Sequence, residues 1–451
     1  MDIRNKKILI YGMGISGKGL AQLLRRAGIS MALHDNRKDL DVPALLDELQ
    51  LDKDTKVVLG DLKKEDLDDI DIVAISPGIS AFAPEVELAR SAGKQITGEL
   101  ELAYELSKGM LIAITGTNGK TTTTSLTGEI MKAYFNEVFV VGNIGFSYAS
   151  KSLDTTENSV TVAEISSFQL ETISQFHPEI SAVLNLTPDH LDRHKTFENY
   201  ALCKMSIASN QTADEKCIIN YDDEYLRELS KDLTPEVVYF SRREKLEKGV
   251  YLDGDMIVYS DGMVKKELLN KNDTNLMGDH NVENVMAAAA ISICAGVPED
   301  IIVKVIKEFK AVEHRIEFVR TLNGVSYYND SKGTNTDAAA RAVESMVCPT
   351  VLIAGGYDKG ADFSDWIKGF NGKVKEMILI GATADKIALT ARENGFDNIY
   401  MAGELDKAVE RAVCAAEPGD CVLLSPACAS WDQFNNYEQR GRIFKDLVNS
   451  L

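Results

Sequence analysis

The chain has little that would mark it for secretion, a membrane or nucleic acid. It carries only seven cysteines, Cys203, Cys217, Cys294, Cys348, Cys414, Cys421 and Cys428, and no Cys-x-x-Cys pair. An odd, scattered set predicts reduced thiols and a cytoplasmic location. No run approaches the roughly eighteen apolar residues of a membrane span. The opening Met-Asp-Ile-Arg-Asn-Lys-Lys leads straight into a strand pattern, without signal-peptide architecture. Only ten prolines are spread along the chain, so no linker announces itself. Cations are in deficit: 49 Lys and Arg against 69 Asp and Glu give a net charge of −20, which argues against generic nucleic-acid binding. Anionic substrates would have to be drawn in by a few local cations and metal ions, against the field of the whole protein.

What is present is an ordinary globular composition, 45% hydrophobic and 26% charged, in 451 residues, enough for several domains. Short β-branched runs alternate with longer helical patterns, which predicts parallel sheets with crossover helices. Candidate strands are 7–11, 31–34, 57–59, 72–75, 111–115, 138–141, 160–165, 182–186, 351–354, 377–380 and 422–424. The charge runs 63–69 and 242–248 read as solvated helix faces. Nucleotide-type glycine motifs follow the first strand of their own sheet, which puts one boundary near 98–110. A second break falls near Ala311, before an Asn323-Gly324 hairpin flanked by 316–320 and 325–328. The expectation is an α/β protein of three domains, 1–106, 107–311 and 312–451, each with a mainly parallel sheet flanked by helices. The first and last are Rossmann-like and the central one is P-loop ATPase-like.

Residues 111–122, Leu-Ile-Ala-Ile-Thr-Gly-Thr-Asn-Gly-Lys-Thr-Thr, carry the strongest signal. A buried strand feeds a glycine loop and then a helix whose first turn bears hydroxyls. Gly116, Thr117, Asn118 and Gly119 would let backbone amides crowd a polyphosphate, with the helix N-terminus adding positive charge. Lys120 would reach the terminal phosphates, Thr121 would ligate Mg²⁺, and Thr122 lies beside it. Gly116 stands three residues before Gly119, closer than in the usual P-loop. The segment predicts binding of a nucleoside triphosphate.

Gly12-x-Gly14-x-x-Gly17 follows the first strand, and Asp35 ends the second. That is a pyrophosphate-binding fingerprint, satisfied by NAD or equally by a UDP-sugar. Ser76-Pro77-Gly78 lies at the end of another strand of the same sheet. Two nucleotide-type sites make hydride transfer less apt than a pairing of ATP with a nucleotide-tagged substrate. Glu164 ends a strand beside the P-loop, where a carboxylate can hold Mg²⁺ or simply face solvent. His190 and His194 have the spacing of half a zinc site, but no third ligand is evident. In 278–284, Asn281 and Asn284 share a helix face and could read a nucleoside or cap the helix. His314-Arg315, Asn329-Asp330-Ser331-Lys332, the loop at 355–359 and the segment 425–434 add polar groups, three of them at or after strand ends.

Taken together, 116–122, 164–169, His190, 278–284 and His314-Arg315 resemble the Mur ligases, the ATP-dependent amide-bond formers of peptidoglycan synthesis, over essentially the whole chain. The opening glycine motif, Asp35-Asn36-Arg37, 329–335 and 425–434 with Glu438-Gln439-Arg440-Gly441 point to the member that adds D-glutamate to UDP-N-acetylmuramoyl-L-alanine. The resemblance implies that Gly14, Ser16, Asp35, Asn36, Arg37, Ser76, Pro77 and Gly78 bind the UDP-substrate. It assigns ATP to residues 116–122 with Asn143, Asn281, Asn284, Arg315, Asp330 and Lys332. Mg²⁺ falls to Thr121, Glu164, His190 and Lys204, the last matching the family's carbamylated lysine. Lys120, His190 and Lys204 would be catalytic. Thr334, Lys359, Ser430, Trp431 and Tyr437 would take D-glutamate, with Trp and Tyr where Leu and Phe are expected. The implied protein is a cytoplasmic monomer that inserts in no membrane and binds no nucleic acid. Rival readings are a Mur-type ligase for another amino acid, an NAD(P)-dependent dehydrogenase, and a P-loop switch protein.

Overall fold

The computed structural model describes residues 3–142, 146–310, 312–358 and 360–451. Three sheets are present among the described residues. The first holds β1 (Ile8–Tyr11), β2 (Met31–Asp35), β3 (Val57–Leu59), β4 (Ile72–Ile75) and β5 (Gln95–Gly98), in the order β3-β2-β1-β4-β5. All its pairings are parallel. Ile8 and Ile10 pack into one apolar cluster, Leu9 and Tyr11 into another. A strand covered on both faces therefore reads as an unbroken apolar run. Each such aliphatic side chain contributes about 1.5–3 kcal/mol by leaving water.

The second sheet runs from β6 (Met110–Thr115), β7 (Val138–Gly142), β8 (Val160–Glu164), β9 (Ile180–Val183), β10 (Lys216–Asn220) and β11 (Glu236–Ser241) to β12 (Lys248–Asp253), β13 (Met256–Asp261) and β14 (Lys265–Asn270). Its order is β14-β13-β12-β11-β10-β9-β6-β8-β7. The pairings are parallel as far as β12 and antiparallel from β12 to β14. The third sheet holds β15 (Glu317–Leu322), β16 (Val325–Asn329), β17 (Thr350–Gly355), β18 (Val374–Ile380), β19 (Ile399–Gly403) and β20 (Cys421–Leu424), in the order β15-β16-β20-β17-β18-β19. Among the described residues, only the β15–β16 hairpin, turning at Asn323-Gly324, is antiparallel in this sheet. The α/β reading, with mainly parallel sheets, matches this architecture.

The chain forms two compact units, Met1–Lys271 with Asn284–Ile306, and Asn272–Glu283 with Lys307–Leu451. Within the first unit a single apolar cluster joins the first two sheets, running from Ile8 and Leu20 through Leu100 to Ala113, Val183 and Tyr200. The helix Glu99–Leu106 lies between those sheets in sequence. Its Glu101 carboxylate accepts from the amides of Ser174, Gln175 and Phe176 at 2.9, 2.5 and 3.1 Å. The predicted break near Ala311 falls on a residue outside those described.

Two expectations fail. The charge run 242–248 is no helix: residues 242–247 bend between β11 and β12 and Lys248 opens β12, with Asp222 accepting from the amides of Arg242 and Arg243. Nor are the thiols all free, because Cys348 and Cys421 form a disulfide with Cα atoms 6.2 Å apart. Parallel pairing of β17 with β20 sets Thr350 opposite Cys421, bringing Cys348 alongside. A separation of 73 residues gave no spacing signal for that pairing.

Candidate active site

In the first sheet, β2 and β4 lie on opposite sides of β1, so the connections leave it toward opposite sides and open a crevice at the strand ends. Gly12 to Gly17 lie there, and a Cβ on Gly17 would come within 1.9 Å of the Gly12 carbonyl oxygen, so only glycine fits. The helix Ile15–Ala27 starts in this turn, carrying Ser16. Ser76 Oγ donates to that same carbonyl at 2.7 Å, tying the Ser76-Pro77-Gly78 loop to the glycine turn. Asp35 accepts from the Met13 amide at 2.8 Å and from Arg37 Nε and Nη2, each at 2.8 Å. The Arg37 guanidinium holds its carboxyl well below the usual carboxylate range. Both Asp35 oxygens are thus engaged by the chain itself. Asn36 donates to the Tyr11 hydroxyl at 2.8 Å.

In the second sheet β6 ends at Thr115 and the helix Lys120–Tyr134 begins five residues later. Gly119 has φ +84°, and a Cβ there would stand 2.2 Å from Asn284 Oδ1, so the amide of the later helix packs directly on the loop. Asn185 clamps the loop from the strand next door. Its carbonyl accepts from Thr117 N at 3.0 Å, and its side chain exchanges bonds with Asn118 N and O at 2.8 and 3.0 Å. Thr117 Oγ1 meets the Tyr200 hydroxyl at 3.0 Å. Thr121 and Thr122 are buried at the head of the helix.

Two lysines converge on one oxygen. Lys120 Nζ donates to the carbonyls of Gly116 and Thr117, both at 2.8 Å, and Lys204 Nζ donates to Gly116 O at 2.8 Å. Lys204, on the helix Phe197–Met205, is 2% exposed; burial, with Lys120 nearby, pushes its pKa well below the usual amine range. Glu164 ends β8 fully buried, and its Oε2 has no hydrogen-bond partner. A buried carboxylate oxygen without a donor is costly unless a cation completes it. Its position beside the P-loop strand therefore fits a hard metal ion. His190 has φ +54°, its amide bonded to Asp189 Oδ1 at 2.9 Å. His194 instead is buried against Ser167 at 3.0 Å, and Phe168 contacts both imidazoles.

In the second unit, β16, β17 and β20 end at one edge and send out the segments 329–335, 355–358 and 425–434. Asp330 is buried; its carboxylate accepts from Ser425 Oγ at 2.7 Å, and burial raises its pKa to about 7. Arg440, on the helix Tyr437–Ser450, is fully buried and bonds Ser331 Oγ and O together with the carbonyls of Cys428 and Ala429. His314 and Ile316 both have positive φ, +66° and +44°, the latter rare for a β-branched residue. Arg315 between them has a buried Nε without a partner. Lys332 Nζ lies 5.4 Å from the Tyr437 ring centre, and the Thr334 amide donates to Lys332 O. Ser430 is buried, whereas Trp431 is 65% exposed and tilts against Tyr357. Asn281 bonds Met277 O at 2.7 Å. Asn143 and Lys359 lie outside the described residues. Sequence reasoning assigned no role to Asn185, Tyr200 or Arg440. For Asn185 a signal existed, since it follows a strand adjacent to the P-loop strand; a buried arginine on an amphipathic helix gives none.

Comparisons with known proteins agree along the chain. Three family models match: the Mur ligase MurD-like N-terminal domain over residues 6–98, the Mur ligase middle domain over 114–292 and the Mur ligase glutamate ligase domain over 314–428. The UDP-N-acetylmuramoylalanine--D-glutamate ligase of Lachnospira eligens is 52% identical over 451 residues, all of both chains. That of Clostridioides difficile is 44% identical, again covering 100% of each. Among solved structures, the UDP-N-acetylmuramate-alanine ligase of Thermotoga maritima superposes with a TM-score of 0.62 at 17% identity, over 99% of this chain and 100% of that one. The MurF ligase of the same organism, in complex with ADP, gives 0.61 at 16%, over 100% and 96%. These two distant structures share the fold, and full-length identity with the nearer sequences carries the assignment: the chain belongs to the Mur ligase family.

Proposed function

We propose that the chain is an ATP-dependent ligase that joins D-glutamate to UDP-N-acetylmuramoyl-L-alanine in the cytoplasm, acting as a monomer. The reading rests on one observation above the others: two lysines on a glycine loop and a buried glutamate with one unpartnered oxygen on the adjacent strand, in a chain 52% identical to a relative bearing that name. The domain limits 1–106, 107–311 and 312–451 divide the labour among UDP-substrate, ATP and amino acid.

A carboxylate is a poor electrophile, so its oxygen must first become a leaving group. The alanine carboxylate of the UDP-substrate attacks the γ-phosphorus of ATP, releasing ADP and giving an acyl phosphate. The D-glutamate amine then attacks the carbonyl carbon and loses a proton, and phosphate departs. Two anions meet in the first step, so positioned cations dominate its barrier. Lys120 would exchange its loop carbonyls for the terminal phosphates, and Arg315 and Lys332 would contact ATP. Thr121, Glu164, His190 and Lys204 would hold Mg²⁺, which supplies Lewis-acid neutralisation of phosphate oxygens. Lys204 suits carbamylation: its lowered pKa favours the neutral amine, the form that adds CO₂ and sheds a proton to leave a carboxylate. Asp35 and Arg37 would present the uridine site as a preformed pair. Thr334, Lys359, Ser430, Trp431 and Tyr437 would receive the amino acid. Phosphate release that requires both UDP-N-acetylmuramoyl-L-alanine and D-glutamate tests the reading. Release with another amino acid, or none at all, overturns it.

A further inference from the structure

The segment 185–194 contributes Asn185 and His190 to the site, yet its most heavily bonded side chain is Arg193, which no role above uses. Arg193 belongs to the short helix Leu191–His194 of the second sheet's domain, three residues after His190. Its side chain is 11% exposed. Nε donates to both oxygens of Glu171 at 2.9 and 3.1 Å, and Nη2 donates to Glu171 Oε2 at 2.6 Å. The remaining donors cross to the first sheet's domain: Nη1 reaches Pro77 O at 2.6 Å and Nη2 reaches Ile79 O at 2.9 Å. The guanidinium lies 4.1 Å from the Phe168 ring centre, and that ring also contacts His190. The captured loop is the one whose Ser76 Oγ holds the Gly12 carbonyl.

We propose that Arg193 is a positioning residue for the ligation: it fixes the substrate loop 76–79 of the first sheet to the His190 segment of the second. The nucleotide-sugar's crevice and the phosphate-transfer groups are then held in register. The inference rests on the ligase reading for its substrate, while the strut itself stands on geometry. One planar fork satisfies a carboxylate and two carbonyls in different directions at once. An ammonium group cannot reproduce that, so lysine is no conservative replacement here. Glu171 keeps the nearly buried charge paired, so that its desolvation is compensated.

The test uses the full chain with R193K, and E171Q as a second, milder variant that keeps side-chain size. Calorimetry with UDP-N-acetylmuramoyl-L-alanine and with ATP, taken separately, should show nucleotide-sugar affinity falling roughly 10- to 100-fold in R193K and less in E171Q, with ATP affinity within about twofold. Amide hydrogen exchange should rise over residues 76–82 and stay slow in the strand Ile72–Ile75. Equal loss of both affinities, or unchanged affinity and unchanged loop exchange, overturns the proposal. A wild-type chain that bound neither ligand would refute the ligase reading, and the exchange measurement, which needs no substrate, would then decide the strut alone.

Discussion

At the ends of β6 and β8, two lysines crowd one carbonyl and the neighbouring Glu164 oxygen has no partner. At the ends of β16 and β20, Arg440 and Asp330 are just as deeply buried, but loops of the same sheet engage them. Burial of charge therefore has two meanings in this chain. Where neighbours leave it incomplete, the function proposed above gives it to a ligand; where they complete it, it holds loops in place. Composition cannot separate the two, because a buried Lys204 and a buried Arg440 look alike in sequence.

The contrast can be broken experimentally, beginning with the largest effect. K120A should lower ATP-dependent phosphate release about a thousandfold or more if, as proposed, Lys120 is the principal cation for the transferring phosphate. Binding of the UDP-substrate, measured by calorimetry, should survive. E164Q keeps the volume and removes the charge; turnover should fall about a hundredfold, with a Mg²⁺ requirement shifted to higher concentration in a metal titration.

D330N probes the other edge through stability and pH. The folded pKa of Asp330, about 7, lies above its ordinary value of 3.8, so between those values the folded chain retains a proton that the unfolded chain has lost. Stability from this group is present near pH 4 and declines as the pH rises toward 7. Wild type should lose stability relative to D330N, on the order of 3 kcal/mol between about pH 4 and 8, as read by urea unfolding. A constant difference across that range would remove the distinction between the two edges. The smallest functional effect is expected of C348S. Its disulfide closes a 73-residue separation and should be worth about 2–4 kcal/mol to the second unit. Activity should not change, because the bridge sits at the opposite ends of β17 and β20 from the loops.

Much of the molecule was legible where burial imposes a pattern. β1, β4, β6, β8 and β17 are buried and read as apolar runs that stop at a glycine or a polar residue, which located the glycine loop 116–119 and Glu164. The antiparallel strands β12 to β14 were not found. Lys265–Asn270, with half its residues charged, lies at a sheet edge and leaves no apolar run to detect. Asp35 was expected to face a ligand, yet Arg37, two residues on, occupies it. Lys204 was reached only through the family resemblance, and Arg193 and Arg440 were hidden, because a charged residue on a helix ordinarily faces water. The Cys348–Cys421 pairing depends on strand register, which no local spacing encodes.

The clamp by Asn185 has a further consequence. Thr117 and Asn118 spend their main-chain donors on the protein's own scaffold, so the front half of this abbreviated turn is anchorage. Whatever grips the oxygens of a nucleotide must then come from the positions after it, where the helix opens. A compact turn of this kind gives up breadth of contact and gains a fixed point of departure for its lysine.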